Sequence, residues 1–230
     1  MSYEAVVFDT DGVLTRPTPT SVVRRAVRAA FAEFGVEPTT EAVDGTIHGG
    51  LTRLRRVCEL YDLDPVAFWP RREAQVAAAQ RLAMEAGEKP LYDDVDALDR
   101  LDVPLGVVSN DQAETVEAAL DVFDLRERFP VAYGRPPTVE GFRRRKPAPD
   151  SLEAALDDLG VDDALFVGDS NVDVLAASRV GCDVAFVRRP HRADYQLAAE
   201  PTYELDSLAA LPSLCASTAA GESDPNRAEG

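Results

Sequence analysis

The strongest constraint on the fold is a rhythm. Five short apolar runs, Tyr3–Phe8, Pro104–Val108, Val131–Tyr133, Ala164–Val167 and Val184–Val187, lack the alternation of a strand with one wet face. Helical patterns fall between the later ones, at Gln112–Leu120, Pro149–Leu159 and Asn171–Val180. Strands of this kind alternating with helices predict an α/β protein with a doubly wound, Rossmann-like parallel sheet, its right-handed crossovers covering both faces.

One segment breaks the rhythm. From about residue 16 to residue 90 no strand is legible, and helical patterns take over at Ser21–Phe34, Thr39–Thr46, Gly50–Tyr61 and Pro65–Ala86. Ser21 is a candidate N-cap for the first of these, Gly35 closes it, and Pro90 halts the chain before the core resumes. Some 75 residues are too many for one crossover and predict an inserted all-helical module. The expected division is therefore a discontinuous core of residues 1–15 and 91–215, a helical module of residues 16–90, and a disordered tail of residues 216–230, which is small, polar and turn-rich.

The net charge of −17 and pI near 4.5 argue against a nucleic-acid partner. They predict a strongly hydrated surface that stays soluble in high salt, of the kind a salt-rich cytoplasm favours. Only two lysines, Lys89 and Lys146, stand among the 24 basic residues. No apolar run reaches membrane-spanning length, no secretory signal is visible, and a cytoplasmic location is expected. Three scattered cysteines suggest neither a disulfide framework nor a zinc site. Whether the chain is a monomer or a homodimer is left open.

In an open parallel sheet, ligands gather beyond the carboxyl ends of the strands, so the residues leaving each strand matter most. Asp9 and Asp11 leave the first, followed by Gly12, which permits a turn or a close approach. Ser109 and Asn110 leave the second, where Asn110 or Asp111 could also cap the next helix. After the third comes the long basic loop Gly134–Arg145 and then Lys146, ahead of Pro147. Asp169 and Asp173 follow the fourth, spaced to share one face of a helix's first turn. Each signal has an ordinary reading as a turn, a cap or a solvated charge. Together they converge four carboxylates, a lysine and backbone donors on one crevice, and carboxylates so arranged call for a hard cation such as Mg²⁺.

The stretches "FDTDGVLT", "VVSN", "KPAP" and "GDSNVD", with the helical insertion after the first, resemble the haloacid dehalogenase-like hydrolase superfamily. The likeness is to its phosphatase branch with a helical cap, the phosphoglycolate-phosphatase-like group. That resemblance implies a Mg²⁺-dependent phosphatase acting on a small phosphorylated metabolite through an aspartyl-phosphate. It implies Asp9 as nucleophile and Asp11 as general acid and base, with the Asp11 backbone carbonyl a metal ligand. Ser109, the Asn110 backbone and Gly12 would hold the phosphoryl group, and Lys146 would balance charge. Asp9, Asp11, Asp169 and Asp173 would make the metal site. A phosphomutase on the same scaffold, or a noncatalytic binding module, are the alternatives. His48, Arg53 and Arg16 are the first candidates to read the substrate, with Arg24 and Arg55 behind them. Arg143–Arg145 are candidates to steer an anion, and Trp69 is expected to pack inside the cap.

Overall fold

A computed structural model describes residues 3–219. Six strands, β1 (Ala5–Phe8), β2 (Leu105–Gln112), β3 (Val131–Arg135), β4 (Ala164–Gly168), β5 (Asp183–Val187) and β6 (Tyr203–Leu205), form one parallel sheet in the order β3-β2-β1-β4-β5-β6. The order reverses between β1 and β4, which pair in register from Ala5–Ala164 to Phe8–Val167. Their carboxyl ends therefore flank the crevice where a doubly wound sheet binds ligands.

Helices cover both faces, which is why the strands read as continuous apolar runs. Val6, Phe8, Val107, Leu165 and Val167 pack on one side with Val116 and Leu120 of α5 (Ala113–Val122) and Leu211 of α9 (Leu211–Ala219). Ala5, Val7 and Phe166 pack on the other with Leu152 and Leu156 of α7 (Asp150–Leu159) and Val174 and Ala177 of α8 (Asn171–Val180).

Between β1 and β2 run α1 (Thr20–Glu33), α2 (Thr40–His48), α3 (Gly50–Leu60) and α4 (Pro65–Glu85). They enclose a core of their own, in which Phe31 and Phe68 rings lie 4.6 Å apart. Trp69 is buried there. The chain crosses between the two parts twice, and the crossings are stitched together: Arg16 N donates to Pro90 O at 2.8 Å and Tyr92 N to Leu14 O at 2.9 Å.

Several local expectations are corrected. Ser21 is not the cap of α1: the helix opens at Thr20 behind Pro19, with no side-chain cap bond. Neither Asn110 nor Asp111 caps α5, because β2 continues through both to Gln112 with a register shift against β3. The loop Gly134–Arg145 contains the short helix α6 (Val139–Arg143), whose Phe142 packs edge-on against Trp69 at 5.1 Å. A core loop thus joins the core of the insertion. Helix α9 takes in residues 216–219, expected to be tail, and residues 220–230 lie outside the described residues.

Candidate active site

Asp9 stands at the end of β1, its backbone N–H donating to Val167 O at 2.9 Å and its Oδ1 accepting from Thr10 N at 2.7 Å. A tight turn follows: Leu14 N and Thr15 N both donate to Thr10 O, and Gly12 takes φ +86°. That angle favours glycine, and a Cβ there would overlap Asp169 Oδ2. The turn carries Asp11 back over the sheet edge.

On β2, the Asn110 side chain works like a piece of strand. Its Oδ1 accepts from Lys146 N at 2.8 Å and its Nδ2 donates to Lys146 O at 3.1 Å. This fixes the Lys146 backbone, and the Lys146–Pro147 peptide is cis. The Lys146 ammonium runs inward, donating to Val108 O at 2.8 Å and lying 3.1 Å from Asp9 Oδ2 and 2.8 Å from Asp173 Oδ1. Burial works against its charge, but Asp173 and Asp9 outweigh that and raise its pKa.

On the far side, Asp173 sits in the first turn of α8. Its Oδ2 accepts from Asp169 N, Ser170 N and Ser170 Oγ in a capping box, leaving Oδ1 for Lys146. Asp169 Oδ2 meets His191 Nε2 at 2.7 Å and accepts from Arg192 Nε at 2.9 Å. Burial opposes its ionisation, yet these two neighbours hold its carboxyl below the usual range.

Carboxylate oxygens of Asp9, Asp169 and Asp173 lie within 4.8 Å of one another. Burial pushes Asp9 up to about 7 against the pull of Lys146, with Asp173 and Asp169 adding to the rise. A cluster this electron-rich favours a further cation, and its donors are hard oxygens of the kind Mg²⁺ prefers. The Asp11 side chain stands outside this triad. Its Oδ1 lies 2.8 Å from Lys89 Nζ and accepts from Thr18 N at 3.2 Å. Burial raises its pKa, Lys89 opposes the rise, and Asp111 adds to it.

Above these groups lies a cleft of about 230 Å³ between the sheet edge and the insertion, lined by Asp11, His48, Arg72, Asn110, Arg135 and Arg145 among others. Of the expected substrate readers, His48 is brought to it and the rest are not. Arg53 pairs with Glu41 and Arg24 with Asp44 on the outside of the insertion, Arg55 is exposed, and Arg16 lies over the Tyr92 ring. Three arginines do line the cleft, Arg72, Arg135 and Arg145, and the first two meet on Glu73, which is wholly buried. Sequence reasoning noted Lys89 without giving it a role, read Asp111 only as a cap, and passed over Gln80, His191 and Arg192. The scarcity of lysine is the one signal that marked Lys89 out.

A doubly wound parallel sheet carrying a lysine-bridged carboxylate cluster at its switch point defines an α/β protein with a candidate phosphoryl or metal site. The family described as "Hydrolase: haloacid dehalogenase-like hydrolase" matches residues 3–181. The chain belongs to that family. The phosphoglycolate phosphatase of Cereibacter sphaeroides is 31% identical over 209 residues, covering 81% of this chain and 86% of that protein. The phosphoglycolate phosphatase of Rhodospirillum rubrum is 30% identical over 219 residues, covering 90% and 86%. CbbY from Rhodobacter sphaeroides, solved in complex with phosphate, shares the fold with a TM-score of 0.68 at 24% identity, covering 91% of this chain and 96% of that one.

Proposed function

We propose that the chain is a phosphatase that hydrolyses a small phosphomonoester through a phosphorylated Asp9. The observation that carries this is the Lys146 ammonium shared between Asp9 and Asp173, with Asp11 two residues along at the cleft. Two relatives named phosphoglycolate phosphatase support a substrate of that size and charge, as does the small cleft. Residues 1–15 and 91–215 form the catalytic core in this reading, and residues 16–90 the cap that closes over it.

An Asp9 carboxylate oxygen attacks phosphorus while the bond to the leaving oxygen breaks. Lys146 offsets the repulsion between nucleophile and phosphoryl group, and Ser109 with the backbone N–H groups after it holds the phosphoryl oxygens. Asp11 gives its proton to the departing alkoxide, then takes one from the water that attacks the acyl-phosphate, releasing phosphate and restoring Asp9. Asp9 and Asp169, with Asp173 behind them and the Asp11 carbonyl nearby, would hold Mg²⁺, which supplies neutralising charge to the phosphoryl oxygens. The raised pKa of Asp11 suits a group that must carry a proton.

The test is phosphate release from a panel of alkyl and aryl phosphomonoesters, with Mg²⁺ or EDTA, at low and multimolar salt. Metal-dependent turnover in the wild type that disappears in Asp9→Asn is expected. Turnover that survives in Asp9→Asn would sink the covalent mechanism, and no turnover of any ester by the folded, Mg²⁺-loaded protein would sink the phosphatase reading.

A further inference from the structure

Both lysines of this chain are buried, and each is shared by two carboxylates. Lys146 serves Asp9 and Asp173. Lys89, 1% exposed, stands between Asp11 and Asp111 at 2.8 and 3.6 Å, and it also donates to Gln80 Oε1 at 2.7 Å. Every other basic side chain except the two histidines is arginine. At each position a compact ammonium stands among converging oxygens, three within hydrogen-bond reach at Lys146 and two at Lys89, where Asp111 adds charge from 3.6 Å, and a planar guanidinium does not match that geometry.

The placement of Lys89 is specific. It lies on the return crossing from α4, beside the outgoing crossing that follows Asp11, and its backbone N–H is anchored on Ala83 O at 3.1 Å. Lys89 Nζ and Thr18 N both engage Asp11 Oδ1. No donor engages Asp11 Oδ2 among the described residues, and Asp11 lines the cleft. One oxygen is pinned and the other is left to carry a proton.

We propose that Lys89 is a positioning residue for proton transfer: it pins Asp11 by one oxygen and so presents the other to the leaving group. The proposal rests on the phosphatase reading.

The experiment compares kcat/KM for the fastest alkyl phosphomonoester of the panel and for 4-nitrophenyl phosphate, in wild type, Lys89→Met and Gln80→Met. An alkoxide needs a proton to depart and nitrophenolate does not, and kcat/KM reports the steps up to that departure. Lys89→Met is expected to lose about 100-fold on the alkyl ester, within the range of general-acid effects, and less than about fivefold on the aryl ester. Gln80→Met keeps the charge but removes the acceptor that aims it. It should show the same selective loss at smaller size, and it carries the test if Lys89→Met does not fold. Equal losses on both esters, or no loss on either, would overturn the proposal while leaving the phosphatase reading intact. A wild type inactive on both esters would overturn that reading and this one with it.

Discussion

The ammonium of Lys146 lies 3.1 Å from Asp9 Oδ2, inside the protein, with 2% of the lysine exposed. Removing one member of a buried pair leaves an uncompensated charge, which costs about 3–5 kcal/mol. Lys146→Met is therefore expected to lower the urea midpoint by that equivalent and to reduce kcat by at least about 100-fold. Lys146→Arg should recover little, because the guanidinium cannot occupy the point between Asp9, Asp173 and Val108 O. Recovery of full activity by the arginine would show that charge alone matters there.

Glu73 is the only carboxylate paired with the buried Arg72 and Arg135, among the described residues. Arg72 belongs to the insertion and Arg135 to β3, so Glu73 ties the two parts of the chain. Glu73→Gln strands two guanidinium groups, and a loss of about 3 kcal/mol is expected. Because Trp69 packs against Phe142 of the core loop, with Arg72 and Arg135 over its ring, its fluorescence should shift in the same variant. A shift in melting temperature without a change in Trp69 emission would place the damage elsewhere.

Asp94 gathers the C-terminal end of the core. It accepts from Arg189 Nη1 at 2.7 Å and Nη2 at 2.9 Å, from Ser207 Oγ at 2.7 Å and from Leu208 N at 2.9 Å. Burial opposes its charge, but the Arg189 and Ser207 bonds prevail and its pKa is lowered. A carboxyl depressed in the folded state contributes stability that is complete above its unfolded value of about 3.9 and is lost as pH falls through the lower folded value. Urea unfolding should show Asp94→Asn less stable than wild type at pH 7, with the two converging as the pH falls through the lowered folded value. A constant gap across that range would rule out the ionised carboxylate as the cause.

If Asp9, Asp169 and Asp173 hold Mg²⁺, the ion stabilises the folded chain by mass action, by about 2.7 kcal/mol at a hundredfold excess over its dissociation constant. Wild type should show a Mg²⁺-dependent rise in melting temperature that EDTA reverses, and Asp169→Asn should show almost none. An equal rise in both would place the ion elsewhere.

The sheet was legible because burial on both faces wrote itself into the strands as unbroken apolar runs. It was least legible at β6, three residues at the edge with Glu204 exposed, where no such pressure acts. The insertion was legible from helical periodicity, but its seam with the core was not. Phe142 and Trp69 meet across some 70 residues of chain, and nothing local in "GRPPTVEGFRRR" marks Phe142 as a packing residue. The same division runs through the site. Residues leaving the strand ends could be placed from topology, so Asp9, Lys146, Asp169 and Asp173 were foreseen together. The pairing of Glu73 with Arg135 depends on how the insertion docks, which no spacing in the sequence encodes. Arg53 looked like a substrate reader from its neighbours "TIHGGLTRLRR", yet it lies on the outer turn of α3, beside Glu41.

The burial of both lysines has a chemical corollary. Unprotonated amines attack acylating reagents and expel their leaving group, and the folded chain exposes no lysine side chain to them. Incorporation of an acyl label at position 89 or 146 therefore counts molecules that have opened, and the label at 89, beside the crossings, should appear first if the insertion parts from the core before the sheet comes apart. A pulse of reagent followed by peptide mass measurement reads the order of opening from the chain's own two lysines.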